Sequence, residues 1–337
     1  MDVITKRVLY DICVNHGDVM VVDTLNYLHR YLWVHRDLSA RYKDNIVMTG
    51  HIYGFTNLIL SLKKRFNKCA IILALDGIDK TRKQLNPNYK SHRSHSGQYQ
   101  PDEQLMEIID ICSLIEGVYV CYNPDYEADD AIGVVANTVR RICVRNNISK
   151  NIFILSNDKD MYQLVNEDDN APIRIIKGFQ GDKKVFNGAE VIGVSDVCKR
   201  FNGVSPKDLV KYRAIVGDPS DNLKGYYRFI KSKAALIAKR YDYDEDKKEL
   251  KLKDGLYEEP TLQKYVDKVF EDLDVFRNNY DIMKLKHFDL KLDPINSVER
   301  IKDIGYIVGL AKAFGLKRYL DQVCMYSPYA SEILKCL

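Results

Sequence analysis

The sequence predicts an α/β fold, a mostly parallel central sheet flanked by helices, with a helical region after it. Three observations predict it. Short apolar runs, each long enough for one buried strand, alternate with longer helical stretches. Each of the first four runs is followed by acidic residues. Past about Ser195 the strand-like runs stop and the pattern turns helical.

The elements follow in order. The 337 residues suffice for two domains, or for one α/β domain with an appendage. Residues 1–17 read as an N-terminal extension. Met1 to Leu9 carries Asp2, Lys6 and Arg7 and no apolar core segment, so no secretory signal is expected. Met20-Val21-Val22 is the first strand and stops at Asp23. Helical stretches start near Leu25 and run from Asn45 to Phe66. The second strand, Cys69 to Leu75, ends at Asp76. It is the longest apolar run at seven residues, against roughly 20 for a membrane-spanning helix. Residues 80–100 hold no acid and five bases: Lys80, Arg82, Lys83, Lys90 and Arg93. Pro101 opens a helix that Gly117 closes. Val118 to Tyr122 is the third strand, Tyr126 to Arg145 a helix, and Asn151 to Leu155 the fourth strand. The α/β part, 18–193, ends near Gly193. In the helical region 194–337, helices are expected over Ser205–Val216, Ser232–Arg240, 261–286 and 299–321. Residues 242–259, with eight acids and four lysines, read as an exposed linker.

The eight cysteines form no C-x-x-C pair and mostly lie in apolar runs, as reduced thiols of a cytosolic protein would. A disulfide framework is not expected.

In an open α/β sheet, ligands bind at the carboxyl edge of the strands, near a switch in strand order. Four strand exits bring seven carboxylates to that edge: Asp23, Asp76, Glu127, Asp129, Asp130, Asp158 and Asp160. Gly217-Asp218-Pro219-Ser220-Asp221 offers two more, Asp218 and Asp221. Singly, each acid is explained as a helix cap or a turn residue. Together they are harder to explain that way. Two like charges about 6 Å apart repel by roughly 3 kcal/mol at an effective dielectric near 20. A set of seven would exceed a typical net stability of about 5–15 kcal/mol. Such acids protonate, spread apart or hold cations. Oxygen-only ligands suit magnesium or manganese, and a pair of such ions serves in-line displacement at phosphorus.

The net charge is +4, but without these nine acids 38 acidic residues face 51 basic ones. A basic surface around an acidic cleft suits a nucleic-acid partner. The acid-free segment, with Tyr89 and Tyr99 among its bases, is a candidate strand-tracking element.

The residues resemble the 5′ nuclease family of flap endonucleases, polymerase 5′-exonuclease domains and phage 5′-exonucleases. The likeness runs from about Asp23 to Asn222. Ala74-Leu75-Asp76-Gly77, then Arg82 and Tyr89-Lys90-Ser91-His92-Arg93, is similar to the strand-Asp and helical-arch motifs. Tyr126-Glu127-Ala128-Asp129-Asp130 resembles E-A-D-D. Ser156-Asn157-Asp158-Lys159-Asp160-Met161-Tyr162-Gln163-Leu164 resembles S-x-D-x-D-x-x-Q-L. Gly217-Asp218-Pro219-Ser220-Asp221-Asn222 resembles G-D-x-S-D-N. The resemblance implies the PIN-like 5′ nuclease fold, with an arch over about 78–100, and a metal-dependent phosphodiesterase leaving 5′-phosphates. It implies two Mg2+ ions, replaceable by Mn2+, on Asp23, Asp76, Glu127, Asp129, Asp130, Asp158, Asp160, Asp218 and Asp221. Of these, Asp130 and Asp158 are expected to be catalytic, with Lys90 and Arg93 reaching the scissile phosphate. Arg82, Lys83 and Tyr89 are expected to bind nucleic acid.

Two departures stand out. Thr81 replaces the Phe before the arch arginine. The family's glycine-rich hairpin is reduced to Leu223-Lys224-Gly225-Tyr226-Tyr227-Arg228-Phe229-Ile230-Lys231. One glycine gives little support for the family's potassium ion, and duplex grip falls to Lys224, Arg228, Lys231 and Lys233. The reduced hairpin, the extension and Asn279 to Pro294 resemble the ribonuclease H branch of T-even bacteriophages. That likeness implies a monomeric enzyme removing RNA primers in the host cytoplasm, acting on 5′ ends, flaps and RNA–DNA hybrids. A single-strand-binding protein or sliding clamp is an implied partner, and a membrane is not. The alternative is a nucleic-acid-binding module that kept the fold without chemistry.

Overall fold

The computed structural model describes residues 3–42, 44–66, 68–78, 80–91, 104–168, 170–178, 189–289, 291–293 and 303–337. Arg93 and arch residues 92–100 lie outside the described residues.

The chain opens with α1 (Val3–Asn15), β1 (Val19–Asp23) and α2 (Thr24–Val34). The hairpin β2 (Ser39–Tyr42) and β3 (Asn45–Met48) leads to α3 (Gly50–Arg65) and β4 (Ala70–Ala74). Next come α4 (Lys80–Leu85), α5 (Leu105–Ser113), β5 (Val118–Tyr122), α6 (Ala128–Arg145), β6 (Ile152–Leu155), β7 (Ile173–Lys177) and β8 (Glu190–Ile192). Then follow α7 (Val194–Arg200), α8 (Leu209–Val216), the short pair β9 (Gly217–Asp218) and β10 (Leu223–Lys224), and α9 (Lys231–Arg240). A hairpin of β11 (Tyr241–Asp244) and β12 (Glu249–Leu252) precedes α10 (Pro260–Glu271), α11 (Leu273–Met283) and β13 (Lys291–Asp293). The chain closes with α12 (Ile304–Ala313), α13 (Lys317–Cys324) and α14 (Ala330–Cys336).

Among the described residues the main sheet has seven strands in the order β13-β5-β4-β1-β6-β7-β8. The five inner strands are parallel, and both edge strands are antiparallel to their neighbours. Every residue of β1 and β4 is buried, as expected for parallel strands covered on both faces. Alternate residues serve opposite cores. Val19, Val21, Ala70 and Ile72 meet α1, α6 and α8–α11, whereas Met20, Val22, Ile71 and Leu73 meet α2, α3, α5 and α12–α14. From β1 the chain builds outward through β4 and β5, then returns to place β6 on the other side of β1. The carboxyl ends of β1 and β6 therefore flank the switch in strand order.

Several local expectations change. Asn45 to Phe66 is not one helix: Asn45–Met48 pairs antiparallel with Ser39–Tyr42, and the turn passes Asp44 at a φ of 66°. Residues 242–259 are not a plain linker, because Tyr241 and Leu250 are buried and the Lys248 ammonium binds the Asp281 carboxylate at 2.9 Å. The supposed extension is a helix whose Leu9, Ile12 and Cys13 pack into the core with α6. The C-terminal region is divided, with α8–α11 on one face of the sheet and α12–α14 on the other. Among the described residues no helix is long and apolar enough to cross a membrane.

Candidate active site

The inner carboxylates come from three strand exits and the first turn of α6. Asp23 ends β1 and caps α2, accepting the Asn26 amide at 3.3 Å. Its other oxygen accepts the Ser156 hydroxyl at 2.8 Å. Asp158 follows β6; its amide donates to the same Ser156 oxygen at 3.0 Å, and its carboxylate accepts the Asp160 amide at 2.8 Å. Ser156 thus ties the ends of β1 and β6 together. Asp76, at the exposed rim after β4, accepts the Ala128 amide at 2.8 Å, which draws the start of α6 toward it. Asp129 faces the same cleft from the first turn of α6.

Burial and like charge act together on these groups. Burial pushes Asp23 up to about 7, and the charges of Asp76 and Asp158 add to that against the Ser156 hydrogen bond. Burial also raises Asp129 well above the usual carboxylate range, with Asp158 and Asp23 adding and Lys90 opposing. Among the described residues no three His, Cys, Asp or Glu side chains are gathered tightly enough to chelate an ion as they stand. The acids are spread around the cleft, as mutual repulsion requires, so an ion would bind partly through water or draw them inward. The donor set is oxygen-only, charge-rich and short of cations, which suits a hard divalent ion.

A stability effect follows. A carboxyl whose pKa is raised by folding favours the native state at low pH, and that contribution is lost as pH rises through the folded value. In EDTA, the melting temperature is expected to fall between pH 5 and pH 8 by roughly 3 °C or more, and magnesium should remove most of that fall. Thermal denaturation at both pH values, with and without the ion, checks it.

Glu127, the residue before α6, is a junction. Both its oxygens accept the Lys90 ammonium at 2.9 Å, and one also accepts the Tyr89 hydroxyl and Arg82 Nη1 at 3.2 Å. Burial works against the Lys90 charge, but Glu127 outweighs it and the ammonium is held fully protonated. The Lys90 amide reaches the Asp221 carbonyl at 3.4 Å, and the Asn222 side chain donates to the Asn88 carbonyl at 3.1 Å. The arch base is therefore fastened to both the β5 exit and the turn after α8. That turn needs its glycines. Gly217 has a φ of +79°, and a Cβ on Gly225 would lie 2.0 Å from the Val216 carbonyl oxygen.

Three expected roles change. Arg82 is only 2 % exposed. Its Nη1 and Nη2 grip the two oxygens of Asp130 at 2.6 and 2.8 Å, and its Nε donates to the Ile282 carbonyl at 2.9 Å. It locks α4 to α6 and α11 instead of facing nucleic acid. Asp130, fully buried, also accepts the Lys286 amide at 2.7 Å, so the structure makes it the other half of this lock rather than a metal or catalytic carboxylate facing the cleft. Tyr89 is buried against the core, with its hydroxyl on Glu127, and offers no open face for base stacking. Lys83, Lys224, Arg228 and Lys231 are exposed and Lys233 half-buried, on the surfaces where backbone contacts were expected.

Sequence reasoning passed over Arg213 and Lys159. Arg213 of α8 bridges Asp160 and Asp218, and Lys159 Nζ lies 2.6 Å from Asp218. Burial opposes the Asp218 charge, but hydrogen bonds from Lys159 and Ser220 and the Arg213 charge hold it below the usual carboxylate range. The signal was present in Tyr212-Arg213-Ala214-Ile215, a cation inside an apolar helical run. A buried arginine needs an acidic partner.

The family model for the 5′-3′ exonuclease, N-terminal resolvase-like domain, matches residues 18–201, which span the inner strands and every inner carboxylate. The chain belongs to the 5′-3′ exonuclease family. It is 28% identical over 232 residues to the 5′-3′ exonuclease of Buchnera aphidicola, covering 67% of this chain and 72% of that one. The bacteriophage T5 5′-exonuclease, solved with zinc ions bound, shares the fold at a TM-score of 0.53 and 17% identity, over 95% of this chain and 99% of that one. The catalytic core of Rad2, solved with a DNA substrate, gives 0.50 at 14% identity, over 93% and 94%. This member of the exonuclease family is thus a nuclease, and its helix-flanked sheet, parallel but for the edge strands, is the 5′ nuclease fold.

Proposed function

We propose that this protein is a magnesium-dependent 5′ nuclease. It hydrolyses phosphodiester bonds from the 5′ ends and flaps of DNA and RNA–DNA duplexes and leaves 5′-phosphates. What supports this reading is that Ser156 links Asp23 to Asp158 and that Asp76 binds the Ala128 amide next to Asp129, beside the Lys90–Glu127 pair. Divalent ions, two in this reading and replaceable by Mn2+, would supply a hydroxide nucleophile and stabilise charge on the phosphate. Asp23, Asp129 and Asp158 would hold an ion, with Ser156 orienting Asp23. Lys90, steadied by Glu127, offers its charge to the scissile phosphate, where a preorganised cation lowers the barrier. Arg93 is given the same role. Lys83, Lys224, Arg228, Lys231 and Lys233 neutralise backbone phosphates.

We further infer a role in removing RNA primers during phage replication, in the host cytoplasm, as a monomer. Helix α1 and the C-terminal helices offer surfaces for a single-strand-binding protein or sliding clamp. The test is digestion of a 5′-labelled RNA–DNA primer hybrid beside a 5′-flap substrate, with product ends mapped. Magnesium-dependent cleavage abolished by EDTA, with 5′-phosphate products, is expected. Binding without any cleavage would favour the non-catalytic module instead.

A further inference from the structure

The acids of the cleft divide into two sets. Among the described residues no lysine or arginine lies within ion-pair distance of Asp23, Asp129 or Asp158, whereas Asp160 and Asp218 are already neutralised. The Arg213 guanidinium spans both carboxylates with its side chain 6 % exposed. Lys159 takes the second oxygen of Asp218, and that same oxygen accepts the Ser220 amide at 3.0 Å. Two negative charges thus face two positive ones. A divalent ion added here would leave a surplus of two positive charges beside the inner site. As they stand, Asp160 and Asp218 offer a second ion no uncompensated charge.

We propose that Arg213 is the resident counter-cation of the outer carboxylates, so that a divalent ion reaches Asp160 and Asp218 only by displacing it. The proposal rests on the metal-dependent reading above and concerns the order of loading. Arginine is chemically suited to this, because its planar fork can engage two carboxylates at once and it cannot be deprotonated. Arg213 is a positioning residue, holding the β6 exit against the turn after α8 until the ion replaces it. Lys159, more exposed, is the weaker partner.

Mn2+ titration of the full chain, read by the EPR signal of the free ion, tests this without reference to cleavage. The wild type should bind one ion tightly and a second on the order of tenfold more weakly. Arg213→Gln should tighten the second ion by about tenfold and leave the first unchanged, and Arg213→Lys should stay close to wild type because the charge remains. A merely structural Arg213 would instead loosen both ions when replaced. An unchanged or weaker second ion in Arg213→Gln, with circular dichroism and the first ion intact, overturns the proposal. If Arg213→Gln does not fold, NMR of the wild type titrated with Mg2+ decides: loss of the slowly exchanging Arg213 guanidinium N–H signals as the second ion binds supports the proposal, and their persistence at saturation overturns it. Absence of any bound Mn2+ in the wild type would instead remove the metal-dependent reading itself, a distinct failure.

Discussion

Asp158→Asn should lower single-turnover cleavage of a 5′ flap by on the order of 100- to 1,000-fold while leaving DNA affinity nearly unchanged. Asp158 stands at the end of β6, next to the switch in strand order, and its charge raises both Asp23 and Asp129. Its loss removes one of the charges that would hold an ion. The amide keeps the shape and can still accept the Asp160 backbone N–H, so the fold should persist. DNA affinity comes from many phosphate contacts elsewhere and is insensitive to one acid in the cleft. Cleavage rates and fluorescence anisotropy on the same substrate separate the two quantities. Unchanged cleavage would show that the inner site is misassigned.

Arg82→Ala should destabilise the fold by about 3–5 kcal/mol, the usual cost of leaving a buried charge without its partner. Asp130 is fully buried and, among the described residues, would keep the Lys286 amide alone as a side-chain partner. The Ile282 carbonyl would lose its donor too. Arg82→Lys should recover part of the loss, since an ammonium supplies charge but cannot match the two-pronged grip. Urea denaturation measures both variants. A loss below about 1 kcal/mol would mean that Arg82 does not hold α4 to α6, and its expected role at the nucleic acid would return.

The inner site was legible because a strand's end can be read from where an apolar run meets an acid. Asp23, Asp76 and Asp158 are all of this kind. Which of two adjacent helical residues faces a cleft cannot be read that way. Asp129 and Asp130 are neighbours about 100° apart around α6, and only packing decides that the first faces Asp158 and the second meets Arg82. Arg82 and Tyr89 misled for a related reason. A basic, acid-free segment suggests a surface, but α4 turns Arg82 inward and the following turn buries Tyr89. The β11–β12 hairpin was hidden by its own charges. Tyr241 and Tyr243, then Leu250 and Leu252, alternate with polar residues at the strand period, yet the many acids around them suggested a linker. Arg213 was missed because its partners lie on other elements, Asp160 after β6 and Asp218 past the end of its own helix.

The most direct measurement is the anomalous diffraction signal of Mn2+ in crystals of the full chain. A strong peak bounded by Asp23, Asp129 and Asp158, within reach of their carboxylate oxygens, is the expected result. Ordered Mn2+ found only elsewhere, with those three carboxylates left bare at saturating ion, would contradict the idea that they converge to hold a divalent cation.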